Sequence, residues 1–313
     1  MRKDSPSTEL QPGYFAAHCR PRGGLARLWE ILIHALIHSS GTLAIIIVVA
    51  IFVFLFAEAA PIFREYSLWE MLLGTEWRPT STPQRFGLLP SLVGSLMVTA
   101  MASVVAIPLG LAGAIYIAEL ASPRAQAVLK PLVELLAAVP SVVFGFIGLT
   151  LLSPLVRQVF HLPTGLTGFT ASIILAYMAI PTILSLADDA IRAVPRGLRL
   201  ASYSLGTTRW QTIRYVVLPA ARPGVVPAVM LGIGRAIGET MTVLMVAGMA
   251  GAVPRTLFQP MRTMTGTIAA EMGEAARGTP HFHALFLVGA LLFLITFLIN
   301  LAADIALHRG QVR

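Results

Sequence analysis

The sequence predicts an all-α integral membrane protein with about six transmembrane helices and both termini in the cytoplasm. Three observations carry this expectation. Of 313 residues, 56% are hydrophobic and only 12% are charged, about half the charged share of an ordinary soluble domain. The apolar residues arrive in blocks, at 42–57, 92–117, 128–152, 169–187, 225–252 and 284–303. Each is near or above the ~20 residues that cross ~30 Å of hydrocarbon, and an unbroken span must be helical because a bilayer cannot satisfy open backbone groups. Finally, the tails and connecting segments alternate in basic content, with 15 Lys and Arg on one side of the predicted membrane, Lys130 at the edge of the third block included, and 7 on the other, Arg235 lying within the fifth span. The richer side is expected to be cytoplasmic. Read this way, the net charge of +8 describes topology, and no nucleic-acid partner is expected.

Residues 1–40 divide into a tail and an entry helix. The tail holds Pro6, Pro12, Pro21 and paired glycines, and is expected to be mobile and cytoplasmic. From Leu25, the spacing of Leu28, Leu32 and Leu36 with Trp29 and Ile33 predicts an amphipathic helix entering the membrane. Residues 41–313 form the membrane domain, with a cytoplasmic loop at 190–222. Ala57-Glu58-Ala59 has the look of a signal-cleavage site, but ~40 preceding residues exceed a usual signal peptide, so an uncleaved first span is expected. The external loop 58–87 carries Trp69 and Trp77, suited to the membrane interface or to a docking surface. Pro108, Pro131, Pro140, Pro154 and Pro181 predict kinks whose freed carbonyls need neighbouring helices or a water-filled path. Gly234 and Gly238 form a G-x-x-x-G pair that would allow close helix approach.

The candidate chemistry is sparse. Counting the fifth span from Gly224 puts Arg235 ~16 Å deep, near the midplane, where a charge costs at least ~2.5–3.5 kcal/mol and usually serves a pathway. Glu239 is i, i+4 from Arg235 and would share its helix face, and Glu134 in the third span is a further expected buried carboxylate. Either these carboxylates simply neutralise Arg235, or Arg235 faces a path and attracts an anion that its planar fork can grip. His281 and His283 are i, i+2 and point apart on a helix, so an interfacial role is expected rather than a metal site. Asp188 and Asp189 are expected to form surface ion pairs beside the Arg-rich loop. Cys19 is the sole cysteine, which leaves no intrachain disulfide and no cysteine cluster for zinc. The only lysines are Lys3 and Lys130, neither in a Walker A setting, and no catalytic triad is evident. A non-catalytic chain that binds no cofactor of its own is expected.

The loop reads Leu200-Ala201-Ser202-x3-Gly206, then nine residues, then Val216-Val217-Leu218-Pro219. This resembles the EAA loop of ABC importer permeases, E-A-A-x3-G-x9-I-x-L-P, with Leu200 in place of the signature Glu. The apolar faces of 198–205 and 210–218 suit two short surface helices, with Gly206 permitting the sharp turn between them. The run Gly234-Arg235-Ala236-Ile237-Gly238-Glu239-Thr240-Met241 is similar to the G-R-A-x-G-E-T-M signature of PstC-type phosphate permeases. Lys130–Leu136 followed by Pro140–Gly145 resembles the third span of the same family.

The resemblance covers roughly 41–308. It implies a type I ABC importer permease fold, with Ala201, Ser202, Gly206, Leu218 and Pro219 coupling to an ATPase and Arg235, Glu239 and Glu134 on the substrate path. It further implies a sister permease of PstA type, a homodimeric ATPase carrying ATP and Mg, a phosphate-binding protein, inorganic phosphate as substrate and membrane lipid as surroundings. A permease for another oxyanion such as sulfate or molybdate, a stand-alone transporter or channel, and a membrane enzyme remain the alternatives.

Overall fold

A computed structural model describes residues 24–311; the tail and Cys19 lie outside the described residues. The chain divides into two compact units at Phe54/Leu55. In the first, the described residues are all helical and belong to α1 (Gly24–Ala59), so the expected entry helix and first span are one continuous element. The second unit, Leu55–Arg313, holds all the remaining elements.

Among the described residues, six helical segments are long and apolar enough to cross a membrane: Leu32–Arg64, Leu89–Leu120, Ser141–Val159, Gly168–Arg192, Arg209–Gly238 and Pro280–Ala302. After α1 come a short helix α2 (Leu68–Leu73), a two-stranded hairpin of β1 (Trp77–Arg78) and β2 (Arg85–Phe86), and α3 (Leu89–Ile115). A π turn, Tyr116–Leu120, extends α3. Next are α4 (Pro123–Ala138), α5 (Ser141–Ile147), α6 (Ser153–Val159) and α7 (Gly168–Arg192). Two short helices, α8 (Arg196–Ser204) and α9 (Arg209–Thr212), precede α10 (Leu218–Gly238). Finally α11 (Met241–Val246), α12 (Met264–Glu271) and the long α13 (Pro280–Gln311) complete the chain.

Two predicted spans are broken. The third does not run unbroken from 128 to 152, because Val139 takes an extended conformation (φ −63°, ψ 130°) before Pro140. A residue preceding proline is pushed out of the α region, so the chain bends there and α4 is separated from the span that starts at Ser141. The fifth predicted span, 225–252, stops at Gly238. Glu239 is extended (φ −69°, ψ 126°), and its carboxylate Oε1 accepts the Thr242 amide at 3.3 Å, capping the next helix. A side-chain oxygen that accepts a first-turn amide satisfies one of the donors left open at a helix start.

α7 is the centre of the second unit. On α3, Val98, Ala102, Ala106, Gly110 and Ala114 recur every four residues and all are buried. This small-residue ridge lets the backbones approach, and a Cβ on Gly110 would meet Ile183 of α7 at 2.9 Å. α10 runs antiparallel along another side of α7, with Gly224 against Ala190 and Gly232 against Ile183. The expected G-x-x-x-G pair is not used this way: a Cβ on Gly234 or Gly238 would meet nothing within 4 Å.

At the end of the bundle where α7 starts, Trp77 is 3% exposed rather than interfacial. Its indole packs edge-on to Phe86 and donates to Glu271 at 2.8 Å, whereas Trp69 is 70% exposed. Glu271 also binds Arg262 and, at 2.8 Å, His281, while His283 contacts the Glu58 carbonyl at 2.6 Å. The two histidines thus diverge to different partners. Glu271→Ala strands Arg262 and the Trp77 N–H in a mostly buried setting. A destabilisation of roughly 3–5 kcal/mol is expected, as for breaking a buried pair. It should appear as a lower thermal midpoint in detergent, and an unchanged midpoint would remove Glu271 as the hub.

Candidate functional site

Arg235 lies on α10, half-buried, three residues before the helix ends at Gly238. Its Nη1 donates to Thr182 Oγ1 at 2.8 Å, and its Nη2 makes a long contact of 3.4 Å to the Ala137 carbonyl. Thr182 sits ten residues from the Arg192 end of α7, roughly 15 Å at ~1.5 Å per residue. Arg235 is therefore held beside the middle of α7. Ala137 is on the last turn of α4, whose final carbonyls have no partner within their own helix.

The expected ion pairs are not formed. Glu239 has left the helix at Gly238, so it no longer follows Arg235 on one helical face. Its carboxylate caps Thr242, and its carbonyl accepts from Thr265 Oγ1 at 2.9 Å. Glu134 is exposed on α4 instead of buried in a span, because the break at Val139 turns α4 away from the third crossing. It lines a groove with Gln126, Lys130 and Arg192. Among the described residues Arg235 makes no ion pair, although it shares a crevice with Glu239, Leu175, Met178, Ala179 and Ala236. This crevice has no room for a water-sized sphere. The guanidinium is thus held by a hydroxyl and a carbonyl, with the Glu239 carboxylate in the same crevice.

Near the Arg192 end of α7, Asp188 is 1% exposed, more deeply placed than a surface pair. The Arg192 Nε reaches both of its oxygens at 2.8 and 2.9 Å, and Lys130 lies 3.4 Å away. Hydrogen bonding to Asp189 at 2.7 Å raises the Lys130 ammonium above its usual range, against the opposing effect of burial.

The Arg-rich loop forms the helix–turn–helix that its pattern implies. Gly206 has φ +77°, in the region that favours glycine, and its amide bonds to the Tyr203 carbonyl at 2.9 Å. Ser202 is buried and its Oγ meets Thr207 and Thr212 hydroxyls at 2.7 and 3.0 Å, while Ala201 is exposed. Thr208 and Gln211 make a capping box that starts α9. One feature departs from the expectation: the second surface helix is not separate. From Arg209 a single helical run, with a π turn at Ile213–Val217, continues through half-buried Leu218 and exposed Pro219 to Gly238. Arg235 is thus on the same helix as the loop, roughly 39 Å from Arg209 along its axis at ~1.5 Å per residue. Leu200, Leu205, Trp210 and Tyr215 are 65%, 85%, 58% and 67% exposed, an apolar surface on this helix–turn–helix.

Sequence reasoning missed Thr182 and Ala137 as partners of Arg235, because neither carries a charge or a motif. It also missed the pairing of Arg199 with Glu119 at 2.7 Å, a contact between residues eighty positions apart that no local spacing reveals.

A bundle of apolar crossings with a broken helix at a mid-depth arginine, and a helix–turn–helix continuous with that helix, defines a multi-pass transport subunit. Residues 106–309 match the model for the inner membrane component of binding-protein-dependent transport systems, and the chain belongs to this family of ABC permeases of the inner membrane. It is 41% identical over 243 residues to a probable ABC transporter permease, YqgH, of Bacillus subtilis, covering 78% of this chain and 79% of that one. It is 33% identical over 305 residues to the phosphate transport system permease PstC of Mesorhizobium japonicum, covering 91% and 92%. In fold it is similar to a chain of a bacterial ABC transporter that imports alginate, with a TM-score of 0.60 at 15% identity over 90% of this chain and 99% of that one. A chain of the MetNI methionine transporter gives 0.53 at 21% identity over 71% and 94%.

Proposed function

We propose that this chain is the transmembrane permease subunit of an ATP-driven phosphate importer. The observation that carries the reading is Arg235, a cation beside the middle of α7 that makes no ion pair among the described residues, in a family whose PstC relatives are named for phosphate transport. The basic end of the bundle, with α8 and α9, faces the cytoplasm together with both termini. Its exposed apolar surface receives a separate homodimeric ATPase that carries ATP and Mg. A sister permease of PstA type completes the path, and a phosphate-binding protein delivers substrate at the opposite end. Arg235 supplies the forked donor for phosphate, and Glu239 the nearby negative charge that keeps the anion from being held too long.

Uptake of labelled phosphate by cells expressing the whole system, with excess sulfate or molybdate as competitor, tests the substrate. Inhibition by unlabelled phosphate alone is expected. Equal inhibition by sulfate would move the reading to an oxyanion permease of broader or different choice. Glu239→Gln keeps an acceptor for the Thr242 amide while removing the charge. Uptake at saturating phosphate should slow severalfold because release is delayed, and an unchanged rate would separate Glu239 from the path.

A further inference from the structure

The departure at Leu200 leaves the surface helices without the acidic residue of the pattern they resemble, and Leu200 itself is 65% exposed. Its neighbour Arg199 turns inward and is only 17% exposed, against a Glu119 carboxylate 9% exposed. The Nε and Nη2 of Arg199 both donate to Glu119 Oε1, at 3.0 and 2.7 Å. Its remaining hydrogen bonds go to the carbonyls of Ile191, at 2.9 Å in the last turn of α7, and of Val194 just beyond it. Arg209, the first residue of α9, donates to the Glu119 backbone carbonyl. Among the described residues, Glu119 is the one carboxylate that pairs with either surface helix.

Glu119 lies on the π turn that ends α3, the helix whose small-residue ridge packs along α7. α7 in turn holds Arg235 through Thr182. One residue therefore ties α8 by its side chain, and the start of the Arg209–Gly238 helix by its backbone, to the two packed helices beside the arginine. A buried ion pair of this geometry resists sliding, because separating it leaves two poorly hydrated charges.

We propose that Glu119 is the joint through which the surface helices act on the membrane core. It is a positioning residue, and the proposal rests on the ATPase-coupling role given above. Movement of α8 and α9 is passed to α3 and α7 only while Arg199 and Arg209 stay fixed to it. Glu119→Gln is nearly isosteric and keeps an acceptor for Arg199, so folding and ATPase attachment should persist, whereas the charge that stiffens the joint is lost.

The test uses the whole complex in proteoliposomes and reads phosphate moved per ATP hydrolysed. Glu119→Gln should lower that ratio about tenfold, the scale of one charge-assisted hydrogen bond, with hydrolysis itself within about twofold. Glu119→Asp keeps the charge and should retain most of the ratio. An unchanged ratio in the Gln variant overturns the proposal, as does an Asp variant that falls equally far. A second readout does not depend on the transported ion. Gly238→Cys, in a Cys19→Ser background, puts the only thiol of the chain on an exposed residue at the helix break. ATP should change its labelling rate severalfold when Glu119 is present and not in Glu119→Gln. A full ATP response in the variant, or none with Glu119 intact, overturns the joint. A response with intact Glu119 but no phosphate uptake would instead sink the substrate reading and leave the joint standing.

Discussion

Arg235→Ala is expected to abolish phosphate uptake while leaving a complex that assembles. Among the described residues the side chain makes two hydrogen bonds, to Thr182 and Ala137, and the second is a long one. Losing them should cost little stability, and removing a charge from mid-depth eases insertion. Losing the forked donor should cost far more in function. Each charge-assisted hydrogen bond to the anion is worth about 1.5–3 kcal/mol, so loss of two lowers uptake by at least a hundredfold. Arg235→Lys keeps the charge but offers no planar fork, and should retain partial uptake. Initial rates of labelled phosphate entry, with co-purification of partner subunits as a control, check this. Normal uptake by the Ala variant removes Arg235 from the path. Loss of assembly would mean that its bonds to Thr182 and Ala137 serve architecture.

The second large effect is expected at Gly206. At φ +77° a β-branched side chain strains the backbone, by roughly 1–2 kcal/mol or more, although open space surrounds the position. Because no side-chain clash is involved, the strain is relieved only by changing the turn. α8 would then be misdirected relative to the helix that begins at Arg209. The membrane spans do not depend on that turn, so Gly206→Val should insert normally. It should lose transport, stimulation of ATP hydrolysis by the loaded binding protein, and stable attachment of the ATPase. Gly206→Ala, with the same φ problem but no branching, should fall between. Transport at the normal rate with the ATPase bound would contradict the coupling role of this loop.

Much of this was legible in the sequence because hydrocarbon imposes strong local constraints. The six crossings follow from runs of apolar residues, and Gly206 from a spacing that demands a tight turn. What failed were inferences that assumed unbroken helices. Pro140 carried a usable signal for the break before it, because the residue ahead of a proline avoids the helical region, yet Glu134 was placed inside a span on the far side of that break. Glu239 was assigned to the Arg235 face by i, i+4 spacing, which has no meaning once the helix ends at Gly238. Trp77 and Asp188 were assigned to surfaces by residue type, whereas Glu271 satisfies one and Arg192 with Lys130 satisfy the other. Those partners are distant in the chain, apart from Arg192, so only the folded structure supplies them.

The most direct measurement is ATP-driven accumulation of labelled phosphate in proteoliposomes containing this chain, its sister permease, the ATPase and the phosphate-binding protein. Accumulation should require ATP and the loaded binding protein together, and should vanish with Arg235→Ala in a complex that still binds its ATPase. Phosphate entry that proceeds without ATP, or that continues at the full rate in the Arg235→Ala complex, would contradict it.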